Sequence, residues 1–261
     1  MNVASLAGII GVFAALIIGI IWGGTSLFAF VDMPSVFIVL VSSFCMIMFA
    51  APKLADGLSL FNMIRMAFRT PNFGELEIAR RMLSFSEKAR REGLLSLEEE
   101  IQDVDNEFLR TGLRLSIDGT DRDIIMNLLE IEINKMQERH AKKHGMFDIW
   151  ATVAPAAGMW GTIMGLVGMM KNLNDPSTVG PNMAIALITT FYGSILANAI
   201  AVPIGRKLRS YDTQETNARE MIIEGVLSIQ AGDNPRILGQ KLLAYLSPED
   251  RIALEHEVKT D

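Results

Sequence analysis

Oxygen-bearing side chains lie inside two long apolar stretches of the sequence. Thr162 lies in the earlier stretch, and the later one carries a polar series at close to four-residue spacing: Thr189, Thr190, Ser194 and Asn198. This spacing indicates one polar face of a helix. Such groups can form hydrogen bonds between membrane helices, worth about 1 kcal/mol each. They can equally line a narrow path for a hard cation, which binds oxygen ligands, and the residues alone leave both interpretations open.

Two prolines lie in the same stretches. Pro155 and Pro203 each lack a backbone N–H, so each frees a carbonyl group four residues upstream in its helix. A plain kink is one consequence of such a proline, and a hinge is the other. The sequence alone is compatible with both.

Charged side chains are absent from the cores of all the long apolar stretches. Ion pathways and proton relays in membranes are usually marked by Asp, Glu, Lys, Arg or His. We therefore expect that this chain alone cannot relay protons across a bilayer. Either it does not conduct ions, or a partner helix supplies the titrating group.

Four uncharged stretches meet or approach the roughly 20 residues that a membrane-spanning helix needs. They cover residues 3–22, 34–52, 149–170 and 183–205. The first lacks a basic leader and is longer than the apolar part of a signal peptide, so we interpret it as a span. A positive mean hydropathy of +0.29, in a chain with 21% charged residues, indicates that apolar and charged segments are separate.

Basic residues follow span two, precede span three and follow span four: Lys53, Arg65, Arg69, Arg139, Lys142, Lys143, Arg206, Lys207 and Arg209. The positive-inside rule then predicts that both termini and the long middle segment are cytoplasmic. The predicted fold is an all-α membrane protein with four transmembrane helices. Its helical cytoplasmic domain is formed by the loop between spans two and three together with the C-terminal region.

The predicted divisions of the chain follow from this topology. Residues 1–52 form a transmembrane hairpin and residues 53–147 a cytoplasmic helical domain. Residues 148–206 form a second transmembrane hairpin, and residues 207–261 form C-terminal cytoplasmic helices. The pattern contains no strand-like alternation of any length.

Residues that typically cap or end helices predict the helix boundaries of the cytoplasmic part. Gly93 is expected to end one helix, and Ser96 with Glu99 fits a capping box that starts a helix reaching about Leu115. Thr120 is expected to cap the next helix. The apolar stripe of that helix is Ile125, Leu129, Ile133 and Met136.

The last span is predicted to continue as a helix to about residue 230. A turn and a short helix over residues 235–246 should follow before Pro248.

Several classes of protein are excluded by composition. Cys45 is the only cysteine and cannot form an intrachain disulfide, and a net charge of −6 gives no reason to expect nucleic acid as a partner. His140 and His144 stand four residues apart, but no third metal ligand is evident. The sequence has no nucleophile elbow, phosphate-binding glycine loop or zinc motif, so we do not expect an enzyme.

Four segments together resemble the MotA/PomA subunits of the bacterial flagellar stator. They are residues 89–98, 153–162, 186–193 and 224–236, in this order and with this loop layout. The resemblance implies a homopentameric ring in the bacterial cytoplasmic (inner) membrane, surrounding the helices of a MotB/PomB-like, single-span, peptidoglycan-binding partner. That partner would carry the titrating carboxylate, and cation flow would drive torque on the rotor protein FliG.

The resemblance also assigns roles to residues by position. Pro155 and Pro203 match the family prolines linked to conformational change. Arg90 and Glu98 match the family's rotor-facing charges, and Arg91 and Glu99 beside them are included in the predicted rotor contact. Without the resemblance, these four charges would be interpreted as an ordinary solvated helix face.

The transported cation is the only ion that the resemblance implies, with no further cofactor. In the family that the chain resembles, a threonine at the Thr162 position accompanies sodium coupling, whereas proton-driven members tend to have alanine there. Thr162 with Thr190 therefore favours Na⁺ over H⁺, and a partly dehydrated sodium ion needs such oxygen ligands. Thr189 is the third residue of the predicted ion pathway. Some sodium-type members have an acidic residue where this chain has Thr152, and this departure weakens the assignment.

Two other functions remain as alternatives. One is an ExbB/TolQ-like energiser of outer-membrane processes, which normally has three spans. The other is a passive membrane scaffold that assembles cytoplasmic partners without conducting ions.

Overall fold

The computed structural model describes residues 3–260, with side chains described as far as Glu255. Regular structure in this part of the chain is entirely helical. The chain divides into two compact units. The apolar unit comprises Met1–Thr70 with His140–Ser210, and the polar unit comprises Pro71–Arg139 with Tyr211–Asp261.

The first half of the apolar unit contains two spans and a shorter helix. In chain order, its elements are α1 (Val3–Trp22), a 3₁₀ turn (Leu27–Phe30), α2 (Met33–Val36), a π-helical turn (Phe37–Val41), α3 (Ser42–Ala50) and α4 (Leu54–Ala67). Helix α2, the π-helical turn and α3 together make span two. Helix α1 buries none of its described residues within the chain, as expected of a helix whose surroundings are lipid or another subunit.

The later spans lie within long helices. Span three belongs to α7 (Arg122–Lys171), a helix of 50 residues. Span four begins in α8 (Pro176–Ile195), passes through a second π-helical turn (Leu196–Ala201) and continues as α9 (Val202–Ala231). By the unit boundaries, α7 and α9 each contribute residues to both units.

Four helices of the described chain are long and apolar enough to cross a membrane: Val3–Trp22, Met33–Ala50, Arg122–Lys171 and Pro176–Ala231. Three of them contain a predicted span in full. The second ends at Ala50, two residues before the predicted end of span two, because Ala51 precedes a proline and is extended. The expected class, an all-α membrane protein, is therefore confirmed.

The polar unit is built from short helices around one apolar core. Its elements, besides the ends of α7 and α9, are α5 (Glu75–Glu92), two 3₁₀ turns (Leu94–Leu97 and Glu100–Asp103), α6 (Glu107–Ile117), α10 (Pro235–Leu243) and α11 (Pro248–Thr260). The largest fully buried side chains of this core include Met82, Leu97, Leu109, Leu113 and Ile222.

The helix predicted to start at Ser96 is wrong. Gly93 does end α5, with a φ of 87° that favours glycine. The Ser96 hydroxyl then donates to the Gly93 carbonyl, 2.7 Å away, rather than accepting a helix N–H. Ser96 lies in the first of the two 3₁₀ turns that follow Gly93. Helix α6 starts only where the Asn106 side chain accepts the Leu109 N–H at 3.0 Å. The capping-box pattern was present, but its hydroxyl was engaged by the preceding turn.

The next helix begins one residue later than predicted. Asp121, not Thr120, accepts the free N–H of Asp123 at 2.9 Å, while the Thr120 carbonyl accepts a hydrogen bond from Gln230. The apolar stripe is confirmed, since all four of its predicted members are buried: Ile125, Leu129, Ile133 and Met136.

The predicted continuation of span four is confirmed, as α9 ends at Ala231 and Gly232 follows with a φ of 71°. Helix α10 starts as predicted but ends at Leu243, before the expected residue 246. Helix α11 was not expected.

A polar network ties α10 to the end of α9. The Ser228 hydroxyl donates to Asp233 at 2.5 Å, and Lys241 pairs with Asp233 at 3.1 Å and with Glu224 at 2.8 Å. The Ser228 hydrogen bond, with a further contribution from Lys241, lowers the pKa of Asp233. The hydrogen bond to Glu224, with that to Asp233, raises the pKa of Lys241. The network therefore favours the ionised form of both groups.

Because the Asp233 pKa is lower in the folded chain than in the unfolded chain, its stabilisation is complete above the unfolded value, near pH 4. It is lost as the pH falls through the folded value. We expect the melting temperature of the purified full-length chain to fall below about pH 4. Asp233→Asn should lower the melting temperature at neutral pH and weaken this acid dependence. Asp123→Asn, at an exposed carboxylate outside the network, is the control. An unchanged acid profile in Asp233→Asn would contradict the assignment.

Candidate functional site

Spans three and four pack closely because one of them presents glycine along the contact. The glycines are Gly158, Gly161, Gly165 and Gly168. A Cβ atom at Gly158 would lie 2.8 Å from the Thr189 backbone oxygen, and one at Gly165 would lie 2.5 Å from the Asn182 backbone oxygen. No side chain larger than hydrogen fits at such distances without a backbone shift. Spans three and four therefore contact each other backbone to backbone along this line of glycines.

This close approach brings two threonines together. The hydroxyl oxygens of Thr162 and Thr190 lie 2.7 Å apart and share a hydrogen bond. Both hydroxyls also lie within 3.2 Å of the Ala186 carbonyl oxygen, and Thr162 lies 3.1 Å from the Gly158 carbonyl oxygen. Four oxygen atoms therefore gather at one point of an apolar helix pair. Because Thr190 is exposed in the single chain, this cluster is open to an approaching ligand.

Thr189 lies on a different side of the helix. Its side chain is 0% exposed and packs against Gly161, and its hydroxyl donates to the Ile185 carbonyl at 2.8 Å. Neighbouring residues of a helix point about 100° apart, so Thr189 and Thr190 cannot share one face. Of the three predicted pathway threonines, the structure brings Thr162 and Thr190 together and buries Thr189 in the helix contact.

The exposed polar face continues from Thr190 along span four. Ser194 and Asn198 follow at intervals of four residues, and both are exposed. The Asn198 amide nitrogen donates to the Ser194 carbonyl at 3.1 Å. At 1.5 Å of rise per residue, this line of oxygen-bearing side chains extends about 12 Å beyond Thr190.

Pro155 lies where the π-helical turns of spans two and four meet. Val39 of the first turn, Leu196 of the second and Ala154 of span three form one buried cluster. Gly193 allows this approach, since a Cβ there would lie 2.7 Å from the Ala154 oxygen and 3.2 Å from the Pro155 Cα. Pro203 follows the second π-helical turn and is exposed. Pro203 thus lies just after a π-helical turn of its own helix, where hydrogen-bond spacing departs from the α-helical one. Pro155 lies within the continuous α-helix α7, beside the π-helical turns of the neighbouring spans.

No charged residue occurs on α7 between Asp148 and Lys171, or on span four between Asp175 and Arg206. The oxygen cluster therefore lies in a wall without charge. Among the described residues, no group of three or more His, Cys, Asp or Glu side chains could hold a metal ion, and this includes the region of His140 and His144.

A separate group of charges lies around the turn that follows α5. Lys88 pairs with Glu100 at 2.5 Å, and Arg91 lies 3.7 Å from Glu87. The hydrogen bond to Glu100 raises the pKa of Lys88. In both ion pairs, the two partners belong to the polar unit.

The other predicted rotor-facing charges are exposed. Arg90, Glu98 and Glu99 are exposed and form no ion pair with any residue that the structure describes. Leu95, on the turn between them, is 72% exposed. Of the four predicted rotor-facing residues, only Arg91 has an ion-pair partner among the described residues, and that pair is long and exposed.

Sequence reasoning missed the pairing of Lys88 with Glu100. The two residues are separated by a glycine turn and two 3₁₀ turns, so their spacing of 12 residues carries no helical signal. The different exposure of Thr189 and Thr190 could have been predicted, because adjacent residues of a helix point about 100° apart.

The glycine contact gives a direct test of the packing. Gly165→Ala should lower the melting temperature of the detergent-solubilised chain, because overpacking of this kind costs about 1–3 kcal/mol. Gly145→Ala is the matched control: it lies on the same helix, and a Cβ there would meet nothing within 4 Å. Since alanine favours helix over glycine, the control should be neutral or stabilising. Equal melting temperatures for the two variants would contradict the close approach.

Comparisons with known proteins agree with the resemblance in the sequence. The profile of the MotA/TolQ/ExbB proton channel family matches residues 100–221. The chain is 48% identical to Motility protein A of Treponema phagedenis, over 100% of both chains. It is 38% identical to Chemotaxis protein PomA of Vibrio alginolyticus, over 98% of this chain and 99% of that protein.

Solved structures match over nearly the whole chain as well. The flagellar MotAB stator complex from Bacillus subtilis contains a chain that is 30% identical, with a TM-score of 0.87 over 95% of this chain and 97% of that one. A chain of C. jejuni MotAB, at 24% identity, has the same fold, with a TM-score of 0.88 over 95% of this chain and 97% of that one. The chain therefore belongs to the MotA/TolQ/ExbB proton channel family, and within it to the MotA/PomA group.

Proposed function

We propose that the chain is a stator subunit of the bacterial flagellar motor that couples cation flow, preferably of Na⁺, to torque. The observation that carries this proposal is the exposed pair of Thr162 and Thr190 in a wall without charge. A channel wall of this kind binds a partly dehydrated cation through oxygen but cannot titrate. The wall therefore requires an acidic group from a second protein.

That second protein is a MotB/PomB-like subunit with one span and a peptidoglycan-binding part. Its carboxylate would neutralise the cation at the oxygen cluster, and moving one charge across 100 mV supplies about 2.3 kcal/mol. The similarity to a chain of a MotAB stator complex supports this partner. Full-length similarity to motility proteins favours this role over an ExbB/TolQ-like energiser and over a passive scaffold.

The assembly is a homopentameric ring in the bacterial inner membrane, with both termini and the polar unit in the cytoplasm. The predicted divisions at residues 1–52, 53–147, 148–206 and 207–261 belong to this proposal. Support for the orientation comes from the basic residues that flank the spans on one side. The chain acts as part of an ion-driven motor, with no catalytic chemistry of its own.

Within the ring, Thr162 and Thr190 are the cation ligands, and Ser194 with Asn198 extends the polar line. Thr189 supports the pathway by packing against Gly161, because its hydroxyl already donates to a backbone carbonyl. In the same scheme, Pro155 and Pro203 provide the flexible points of spans three and four. Their positions beside the π-helical turns support this role.

The contact with the rotor protein FliG is made by Arg90, Arg91, Glu98 and Glu99. All four side chains are exposed, and three of them form no ion pair within the described part of the chain, which supports an intermolecular role. Because exposed ion pairs contribute at most about 1 kcal/mol each, the contact must use several of them.

Sodium coupling is tested by swimming speed in a host that lacks its own stator and expresses this chain with its partner. Speed should rise with external Na⁺ at constant ionic strength. Thr162→Ala should raise the Na⁺ concentration for half-maximal speed about tenfold, the cost of losing one oxygen ligand worth ~1.4 kcal/mol.

Thr162→Ser keeps the hydroxyl and should behave like the parent chain. Thr178→Ala, at a half-buried threonine in the first turn of α8, controls for general loss of hydroxyl groups. A parent chain whose speed does not depend on Na⁺ would overturn the sodium assignment.

The rotor contact is tested by reversing its charges. Arg90→Glu combined with Glu98→Arg should impair motility strongly while membrane insertion stays normal. Either neutralisation alone should be mild. The matched control reverses Lys135 and Glu138, an exposed pair that is satisfied within the chain at 3.0 Å. Full swimming in the Arg90/Glu98 double reversal would rule out an electrostatic rotor contact at these residues.

A further inference from the structure

Helix α4, which follows span two, has two separate apolar faces. One face is buried within the apolar unit and consists of Gly57, Leu60, Met63 and Ala67. A Cβ at Gly57 would lie 2.3 Å from the Met48 sulfur atom, and the rings of Phe61 and Phe44 are 5.8 Å apart. Helix α4 therefore packs against the last turns of span two.

The second face is exposed and equally apolar. It consists of Leu54, Leu58 and Phe61, which are 71%, 50% and 62% exposed. Their spacing of four and three residues places them on one line along the helix. Phe49, in the last turn of span two, is 94% exposed. Because α4 starts four residues after Ala50 and packs against span two, exposed apolar side chains occur both at the end of this span and on the helix that follows it.

Basic residues mark both ends of this stripe. Lys53 precedes the helix, and Arg65 follows Phe61 at the next four-residue step, about 18 Å from Lys53 along the axis. Both are exposed, and neither forms an ion pair with a residue that the structure describes. Asp56 is the only acidic residue of α4. The exposed side of α4 is therefore apolar along its length and positively charged at its ends.

We propose that α4 is a binding surface for anionic phospholipids. Leu54, Leu58 and Phe61 contact acyl chains at the boundary of the bilayer, and Lys53 and Arg65 hold the phosphate groups of anionic headgroups. Lipid is the occupant that fits, because the stripe lies on the helix that follows a span and because its charges are complementary to an anionic leaflet. The bound headgroups fix the cytoplasmic end of span two. This inference does not depend on the coupling ion or on the rotor contact.

The experiment uses the full-length chain, together with its membrane partner, in nanodiscs of phosphatidylglycerol and phosphatidylcholine. A fluorophore is attached to Leu58→Cys in a Cys45→Ser background, and either lipid is supplied with brominated acyl chains that quench on contact. We expect brominated phosphatidylglycerol to quench more strongly than brominated phosphatidylcholine. Each basic residue should contribute about fivefold to this preference, which corresponds to ~1 kcal/mol for a basic residue at an anionic surface.

Lys53→Gln with Arg65→Gln should abolish the preference while leaving quenching by both lipids. Lys135→Gln, which removes one charge from the polar unit, is the control and should leave the preference intact. Equal quenching by both lipids in the parent chain would overturn headgroup recognition. Absence of quenching by either lipid would mean that protein covers the stripe, and would overturn the proposal as a whole. The parent-chain measurement decides the matter even if the double variant does not assemble.

Discussion

The backbone contact between spans three and four is the constraint on which the candidate ion pathway depends. Glycine at Gly158, Gly161 and Gly165 lets the two helices approach to a distance at which any Cβ atom would collide with the neighbouring helix. Only at this separation can the hydroxyls of Thr162 and Thr190 share a hydrogen bond. The ligand geometry of the pathway is therefore set by the absence of side chains on one helix, and not by the threonines alone.

Because of this contact, the adjacent residues Thr189 and Thr190 have different surroundings. Thr189 fills the space that Gly161 leaves, and its hydroxyl is satisfied by its own helix, whereas Thr190 turns its hydroxyl outward. A buried hydroxyl without a partner would cost a few kcal/mol, and the backbone carbonyl removes this penalty. One helix can thus present a packing residue and an exposed hydroxyl at consecutive positions, because these positions face different surroundings.

The lack of charged residues in the spans affects how the chain inserts into the membrane. Charge buried in a bilayer is costly, so a chain that lacks it in its spans is easily inserted. In the proposed complex, this cost would fall on the partner, whose carboxylate would meet the oxygen cluster of Thr162 and Thr190. The polar unit, in contrast to the spans, carries many charged side chains. Some of its charges are paired internally, as in the pair of Lys88 with Glu100, whereas Arg90, Glu98 and Glu99 form no ion pair with a residue that the structure describes.

Much of the fold could be predicted from local features of the sequence. The four spans follow from length and hydropathy, the end of α5 follows from Gly93, and the buried stripe of α7 follows from its helical period. These features are local because they depend on residues within one or two helical turns. The predicted start of a helix at Ser96 failed because a cap depends on which group the hydroxyl finds first, and the preceding turn offered a carbonyl.

What only the tertiary structure decided are the relations between residues far apart in the chain. Hydropathy does not distinguish Thr189 from Thr190, and no spacing rule links Thr162 to a residue 28 positions later. The second apolar face of α4 likewise became visible only when its first face was found packed against span two. The sequence by itself determined which segments are helical and which are apolar. The packing of those helices determined which side chains meet, because contact depends on the rotation and separation of whole helices.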